Sequence, residues 1–382
     1  MTKIVLTSRC SWTLYNFRWD LIQELQQSGY TVVGGGAGGD GFEKCVEDLG
    51  VPFTRLPVDK KATNPLRDVR LLSALTKWYK KERPDVVHNF TIKPVIYGTL
   101  AAHFAHVPMI INTVPGLGYA FTREAPAWVT RIVETLYRIS LVHANFTIFL
   151  NNDDRQLFID RRMVNPDKSA VLPEWVDAEH FGPADEPDEA DTDTTRSPEA
   201  PTVFLMLARL LQEKGVYEYV EAARRLKRDG VNAKCVLIGG RDERNPRVVP
   251  DSDLKAWQAE GVIEYLGEVA DVRGIMRSSD VIVLPSYYRE GMPRALLEGA
   301  AMQKAAIATD NVGCRDVVRN GVTGLLVPVR DVDALVAAMR SLVDDPEKRQ
   351  QMGRAGRELI LNEFDKPIVL KKLLEIYRKG SL

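Results

Sequence analysis

Thr202-Val-Phe-Leu-Met-Leu-Ala-Arg-Leu-Leu-Gln-Glu-Lys-Gly215, followed by Val216-Tyr-Glu-Tyr-Val-Glu-Ala-Ala-Arg-Arg-Leu226, decides how the chain is read. An apolar run of strand length, a loop ending in Gly215 and then apolar residues at helical spacing spell strand, turn and helix. The run does not alternate with polar residues, which marks a strand buried on both faces of a parallel sheet. Similar runs follow at residues 235–238, 262–266, 281–284, 305–308 and 324–327, so the unit repeats as an α/β series.

Upstream the same alternation occupies residues 3–172. It has strands at 4–6, 31–33, 84–88, 109–113, 145–150 and 168–172, with amphipathic helices near 16–27 and 126–142. Between the two series the chain turns acidic and proline-rich, with no aliphatic side chain larger than Ala, as in a solvated linker. The predicted organisation is an N-terminal domain over residues 1–182, a linker over 183–201 and a second domain over 202–365. A last helix, 366–382, carries apolar residues at helical spacing and can pack back on the first domain. Two parallel sheets in tandem predict a ligand cleft facing the carboxyl ends of both.

Composition narrows the function classes. The 382 residues carry 51 Lys and Arg against 52 Asp and Glu, a formal charge of -1, so no global field draws nucleic acid and any anion site must be local. Cys10, Cys45, Cys235 and Cys314 lack CxxC spacing, which predicts reduced thiols in a cytoplasmic protein. No apolar stretch approaches the roughly 20 residues of a spanning helix, so any membrane contact is peripheral.

Gly34, Gly36 and Gly39 match GxGxxG, but after the second strand, and read as a flexible strand-to-helix loop without a nicotinamide cofactor. Asp191-Thr-Asp193, Asp251-Ser-Asp253 and Asp331-Val-Asp333 have the spacing of a divalent-cation clamp. Their placement in the linker and at turns or helix starts favours solvated carboxylates and N-caps, and no metal is expected. His103 and His106 lack a third ligand nearby and read as structural.

Two segments carry chemistry. Arg209 and Lys214 flank a strand end and precede Gly215 and a helix start, which suits a diphosphate; two solvated cations are the alternative reading. In Arg289-Glu-Gly-Met-Pro-Arg-Ala-Leu-Leu-Glu-Gly299, a helix opens near Pro293. Glu290 then lies in the loop with Gly291, and Glu298 lies inside the helix, where its apolar neighbours leave a carboxylate in need of a partner.

These strings, in this order, resemble the family-4 retaining glycosyltransferases of the GT-B fold, in which two Rossmann-like parallel-sheet α/β domains face across a cleft. Asp310-Asn-Val-Gly-Cys-Arg-Asp316 and the segment from Asp345-Pro-Glu-Lys to Arg357 extend the likeness to nearly the whole chain. The resemblance implies a UDP-sugar donor with Arg209 and Lys214 on its diphosphate, Glu298 on the ribose and Glu290 on the transferred sugar. It further implies donor contacts from Gly291, Met292 and Pro293, with Val269 near the base. Tyr-Asn-Phe-Arg18, Asn89-Phe-Thr-Ile-Lys-Pro94 and Thr-Val-Pro-Gly-Leu-Gly-Tyr-Ala-Phe121 look like the branch that extends polyprenyl-diphosphate-linked sugars in bacterial polysaccharide assembly. That likeness implies acceptor contacts from Asn16, Arg18, His88, Thr91, Lys93 and Gly116, and work at the inner membrane surface. It implies no cofactor and no required metal. The usual glycine-rich loop after the first strand is here Ser8-Arg-Cys-Ser-Trp-Thr-Leu-Tyr-Asn-Phe-Arg18, without a Gly. A nucleotide-sugar epimerase and a non-catalytic sugar-nucleotide-binding protein are the alternatives, and the Glu290–Glu298 spacing favours transfer. Trp78-Tyr-Lys-Lys-Glu-Arg83 and the stretch from Tyr119 to Arg131 combine aromatics with cations and are the expected membrane-facing segments.

Overall fold

Ile4, Val5 and Leu6 are fully buried because β1 (Lys3–Cys10) runs through the middle of a seven-stranded parallel sheet covered on both faces. The computed structural model describes residues 2–59, 65–121, 125–183, 200–243 and 245–379. On one side β1 pairs with β2 (Thr31–Ala37), which carries β3 (Phe53–Arg55) at the edge. On the other it pairs with β4 (Val86–Phe90), followed by β5 (Met109–Val114), β6 (Phe146–Phe149) and β7 (Ser169–Val171). The connecting helices are α1 (Ser11–Gln27), α2 (Glu43–Asp48), α3 (Pro65–Glu82), α4 (Thr99–Phe104), α5 (Ala127–Leu141) and α6 (Asn152–Asp160).

The second unit repeats the plan with six strands in the order β10-β9-β8-β11-β12-β13. They are β8 (Thr202–Leu207), β9 (Ala233–Ile238), β10 (Glu264–Tyr265), β11 (Val281–Leu284), β12 (Ala305–Thr309) and β13 (Gly324–Val327). Its helices are α7 (Val216–Arg228), α8 (Asp251–Ala259), α9 (Arg273–Arg277), α10 (Arg294–Ala301), α11 (Cys314–Val317), α12 (Val332–Asp344) and α13 (Pro346–Leu359). α14 (Lys366–Lys379) closes the series. Two parallel-sheet α/β units are the architecture expected of the GT-B fold.

The chain divides into Met1–Pro173 with Val369–Leu382, and Glu174–Ile368. Residues 174–182, assigned from sequence to the first domain, therefore go with the second. The reason is a local clasp: the Val176 amide donates to the Phe364 carbonyl at 3.0 Å and the Lys366 amide to the Val176 carbonyl at 2.9 Å. The Lys366 ammonium pairs with Asp177. Of the expected linker, residues 184–199 lie outside the described residues.

The glycine run corrects the sequence reading. Gly34 and Gly36 are not loop residues but lie with Gly35 inside β2, all three buried. A Cβ on Gly35 would stand 2.3 Å from the Trp78 ring, and one on Gly36 would stand 2.6 Å from the Ser8 carbonyl oxygen. Gly35 makes room for the Trp78 indole to lie on the sheet, and Trp78 and its neighbour Tyr79 are core residues rather than membrane-facing ones.

His88, an acceptor candidate from sequence, is fully buried. One hydrogen bond of 2.5 Å links its Nδ1 to the Tyr377 hydroxyl, and another of 2.7 Å links Nε2 to the Thr113 hydroxyl. With both ring nitrogens engaged inside the first unit, His88 anchors α14 to the sheet and offers nothing to an acceptor. Burial pushes its pKa well below 6.5, and the nearby Arg18 charge acts in the same direction.

Protonation of His88 therefore favours the unfolded chain: its contribution is intact above about pH 6.5 and is lost as pH falls below that value, by up to about 1.4 kcal/mol per unit. Denaturant unfolding near pH ~7.5 and pH ~5 should show a smaller acid loss in His88→Asn than in the unsubstituted chain. An equal loss in both would refute this role for the imidazole.

Candidate active site

Ligands of open parallel sheets bind outside the carboxyl ends of the strands, where neighbouring strands send their connections in opposite directions. In the second unit that point lies between β8 and β11, because β8 leads to β9 on one side and β11 to β12 on the other. The loop leaving β8 carries Arg209 and Lys214, and the loop leaving β11 carries Ser286 and Glu290.

The two loops are clamped together. The Glu213 carbonyl accepts hydrogen bonds from the amides of Tyr287 at 3.0 Å and Tyr288 at 3.1 Å, and from the Ser286 hydroxyl at 3.2 Å. Gly215 has φ +80°, and a Cβ there would meet the Pro285 carbonyl oxygen at 2.1 Å. Any side chain at 215 would pay for a left-handed backbone and also wedge the loops apart.

Inside the clamp, Lys214 Nζ lies 2.5 Å from Glu290 Oε1, and the Ser286 hydroxyl donates to that same oxygen at 2.8 Å. The ammonium also sits 5.3 Å from the centre of the Tyr288 ring. The Lys214 and Glu290 side chains are 13% and 10% exposed, so each depends on the other for compensation of its charge. From the far side, the Thr309 hydroxyl donates to the Ser286 carbonyl and Asn311 Nδ2 to the Tyr288 carbonyl at 2.8 Å. Gly313, at φ +82°, lets its backbone press on the Glu290 and Gly291 carbonyls, each 2.8 Å from where a Cβ would stand. The Cys314 thiol beside this cluster is pushed up to about 12 by burial, which keeps it protonated and unreactive.

Pro293 caps α10 in extended geometry, with Met292 buried before it. Gly299 holds this helix against β11: a Cβ there would stand 2.4 Å from Ile282 Cγ1. Glu298, one residue earlier, is buried, and Arg294 Nε donates to its Oε1 at 3.1 Å. Burial raises the Glu298 pKa, and the Arg294 charge and hydrogen bond oppose that rise. Arg209 is exposed and makes no side-chain hydrogen bond or ion pair among the described residues. Val269 follows β10, two strands away from β8, and is partly buried.

The corresponding point in the first unit lies between β1 and β4. Here the N-terminus of α1 already holds an anion from its own chain, since the Asp40 carboxylate accepts from the Ser11 hydroxyl, the Trp12 amide at 3.2 Å and the Phe42 amide at 3.3 Å. Burial would raise the Asp40 pKa, but these hydrogen bonds prevail and lower it. This carboxylate occupies the position a glycine-rich turn would offer to a phosphate.

The acceptor candidates separate by environment. Arg18 is buried with its guanidinium 4.7 Å over the Phe90 ring, and Lys93 is paired with Asp68 at 2.8 Å. Asn16 is exposed and bonds the Trp12 carbonyl at 3.0 Å. Gly116 lies in the loop after β5. Thr91, at φ +73°, holds a strained left-handed backbone that β-branched residues rarely adopt, and its hydroxyl is buried without a hydrogen-bond partner among the described residues. Asp331 caps α12 through the Ala334 amide at 2.9 Å and Asp251 opens α8, whereas Asp191 and Asp193 lie outside the described residues. Sequence reasoning missed Ser286, Thr309 and Arg294; Asn311 and Gly313 stood in a string noticed for its likeness but given no role.

Comparison with known proteins identifies the family. Residues 188–359 match the family described as glycosyl transferases group 1, and residues 17–175 match the glycosyl transferase 4-like domain. Escherichia coli UDP-Gal:alpha-D-GlcNAc-diphosphoundecaprenol alpha-1,3-galactosyltransferase is 29% identical, over 82% of this chain and 80% of its own. The Campylobacter jejuni N,N'-diacetylbacillosaminyl-diphospho-undecaprenol alpha-1,3-N-acetylgalactosaminyltransferase is 27% identical over 98% of both. Alpha-maltose-1-phosphate synthase of Mycolicibacterium smegmatis is 31% identical, over 78% of this chain and 80% of its own. Among solved structures, Anabaena Alr3699/HepE in complex with UDP shares the fold at a TM-score of 0.80 and 16% identity, covering 99% of this chain and 100% of that one.

The clamp predicts a graded response at two left-handed glycines. Gly230, at φ +68°, has open space where a Cβ would go. Gly230→Ala should therefore lose only the roughly 1–2 kcal/mol of backbone strain. Gly215→Ala should lose more, because Pro285 must also move. Equal thermal shifts in the two variants would argue against the clamp.

Proposed function

We propose, for a chain that belongs to the group 1 glycosyl transferases with the GT-B fold, transfer of a hexosyl or N-acetylhexosaminyl group from a UDP-sugar to a hydroxyl of a polyprenyl-diphosphate-linked glycan, with retention. The observation that carries the donor half is the β8/β11 junction. There an uncommitted Arg209 stands on the same loop as Lys214, whose ammonium is held against Glu290 at 2.5 Å. Two cations at a strand-to-helix turn suit a diphosphate, and Glu298 inside α10 suits ribose hydroxyls.

In this reading the bond between the anomeric carbon and the β-phosphate oxygen breaks as the acceptor oxygen bonds to the same face of the sugar. The departing phosphate oxygen takes the acceptor proton. Arg209 and Lys214 stabilise the charge that develops on the diphosphate, the role of preorganised electrostatics in catalysis. Glu290, oriented by Ser286 and Lys214, accepts hydrogen bonds from the transferred sugar's hydroxyls. Because the cations come from the protein, the proposed mechanism requires no metal. Support for the acceptor and for retention comes from the two bacterial relatives, whose names specify diphosphoundecaprenol-linked acceptors and alpha-1,3 products; common UDP-hexoses carry the sugar in α linkage.

A panel of UDP-sugars, incubated with and without lipid-linked and short soluble acceptors, tests the assignment. Sugar transfer to an acceptor supports it, whereas isomerisation without acceptor, or UDP binding with no turnover on any acceptor, overturns it. Lys214→Ala should lower kcat/KM by about ten- to a hundredfold, the equivalent of 1.5–3 kcal/mol, and wild-type-like kinetics would sink the phosphate role. Glu298→Ala should mainly weaken UDP binding and Glu290→Ala should mainly lower kcat. Loss of turnover in EDTA would count against the metal-free mechanism.

A further inference from the structure

α5 has two apolar faces. One is buried in the first unit through Val133, Tyr137 and Leu141. The other carries Trp128, Ile132, Ile139 and Val142, each at least half exposed. At 3.6 residues per turn these four positions fall on one stripe, opposite the buried one. Phe104, half exposed at the end of the adjacent α4, extends it, with His103 stacked on His143 at 3.8 Å between the two segments. A soluble surface helix normally turns charge toward water on that side.

The stripe is bordered by cations. Arg131 and Arg138 are exposed along one flank, and Arg138 donates to the carbonyls of Arg161 at 3.0 Å and Arg162 at 3.3 Å. That contact ties the chain just after α6 to this flank. The acid on α5 is Glu134, and it is paired with Arg161. With Glu134 neutralised by Arg161, the described charges left beside the stripe on α5 are Arg131 and Arg138, which would face their own kind if a second copy docked there, whereas anionic headgroups complement them. An amphipathic helix with an aromatic residue and bordering Arg side chains is the kind of surface that lies in a bilayer interface.

We propose that the exposed face of α5, with Phe104, is a docking surface for anionic phospholipid bilayers. This deepens the reading of a lipid-linked acceptor by naming the surface that reaches it, and it replaces the segment around Trp78 and Tyr79, which are buried. Arg123, in the other expected segment, lies outside the described residues.

The test needs no substrate. The full chain is sedimented with vesicles of phosphatidylglycerol and phosphatidylcholine, and with phosphatidylcholine alone. Binding to the anionic vesicles is expected at low ionic strength and should fall as salt shortens the Debye length from about 10 Å at 0.1 M to about 3 Å at 1 M. Ile132→Ser with Ile139→Ser, and separately Arg131→Gln with Arg138→Gln, should each lower partitioning by roughly tenfold or more. UDP binding should stay unchanged in both double variants and the melting temperature in Ile132→Ser/Ile139→Ser, whose side chains are exposed, whereas Arg138→Gln also removes two hydrogen bonds to the carbonyls of Arg161 and Arg162 and should lower the melting temperature slightly. Absence of binding to anionic vesicles, or binding indifferent to both double variants, overturns the proposal. So does a concentration-dependent dimer that the Ile132→Ser/Ile139→Ser variant dissolves. Vesicle binding without transfer to a lipid-linked acceptor would remove the functional reading and leave the surface standing; transfer to a soluble acceptor without vesicle binding would do the reverse.

Discussion

One backbone carbonyl, that of Glu213, sets the geometry of the second unit's site. Two amides and a hydroxyl from residues 286–288 converge on it, and this sets the spacing between the turn after β8 and the loop after β11. Lys214, the next residue, is thereby delivered to Glu290, 76 positions away in the chain. A free lysine side chain carries roughly 2 kcal/mol of rotamer entropy, and here most of it is already lost to packing against Tyr288 and Glu290. A ligand that meets a side chain already ordered loses less on binding. Arg209, still exposed and unpaired among the described residues, can then adjust to it.

The two sheets obey the same topological rule and put it to different chemical use. At the β8/β11 junction Lys214 is neutralised by Glu290, while Arg209 is exposed and unpaired among the described residues. At the β1/β4 junction the Asp40 carboxylate fills the start of α1, so a second phosphate there would meet a negative charge. What the first unit presents nearby is polar and strained instead, with Thr91 in the left-handed region and its hydroxyl without a partner among the described residues. Behind it, a buried ladder joins Thr7, Tyr79, Asn89, Asn112 and Thr99. Gly98 belongs to that ladder's packing, because a Cβ there would stand 2.3 Å from Asn89 Oδ1. A buried hydrogen-bonded chain of this kind favours one strand register, since a slip would leave several polar groups unpaired.

Much of this was legible in the chain itself, for a physical reason. Strands buried on both faces must be apolar throughout, so β1, β8, β11 and β12 stand out as short continuous runs. Arg209 and Lys214 stood out from local spacing, a strand end followed by Gly215 and a helix start, and the structure places both on the loop leaving β8. The failures share a different cause. Gly34 and Gly36 read as loop because the neighbours that crowd them, Leu14, Val51 and Phe53 for Gly34 and the Ser8–Cys10 backbone for Gly36, are brought to β2 only by the fold. His88 stood among the implied acceptor contacts because Tyr377, which holds it, lies 289 residues away. Ser286 carried no signal at all, being one serine among many until Glu290 and Glu213 were seen around it.

The amino-acid sequence by itself determined the periodicities, hence two α/β series, and the inventory of charges near the strand ends, Arg209, Lys214, Glu290 and Glu298 among them. Tertiary structure alone decided which of those charges neutralise one another, that residues 174–182 go with the second unit, and that α5 keeps an apolar face uncovered. Periodicity and composition are properties of neighbours along the chain. Ion pairing, burial and exposure depend on which distant segments fold into contact, and no local pattern encodes the identity of that partner.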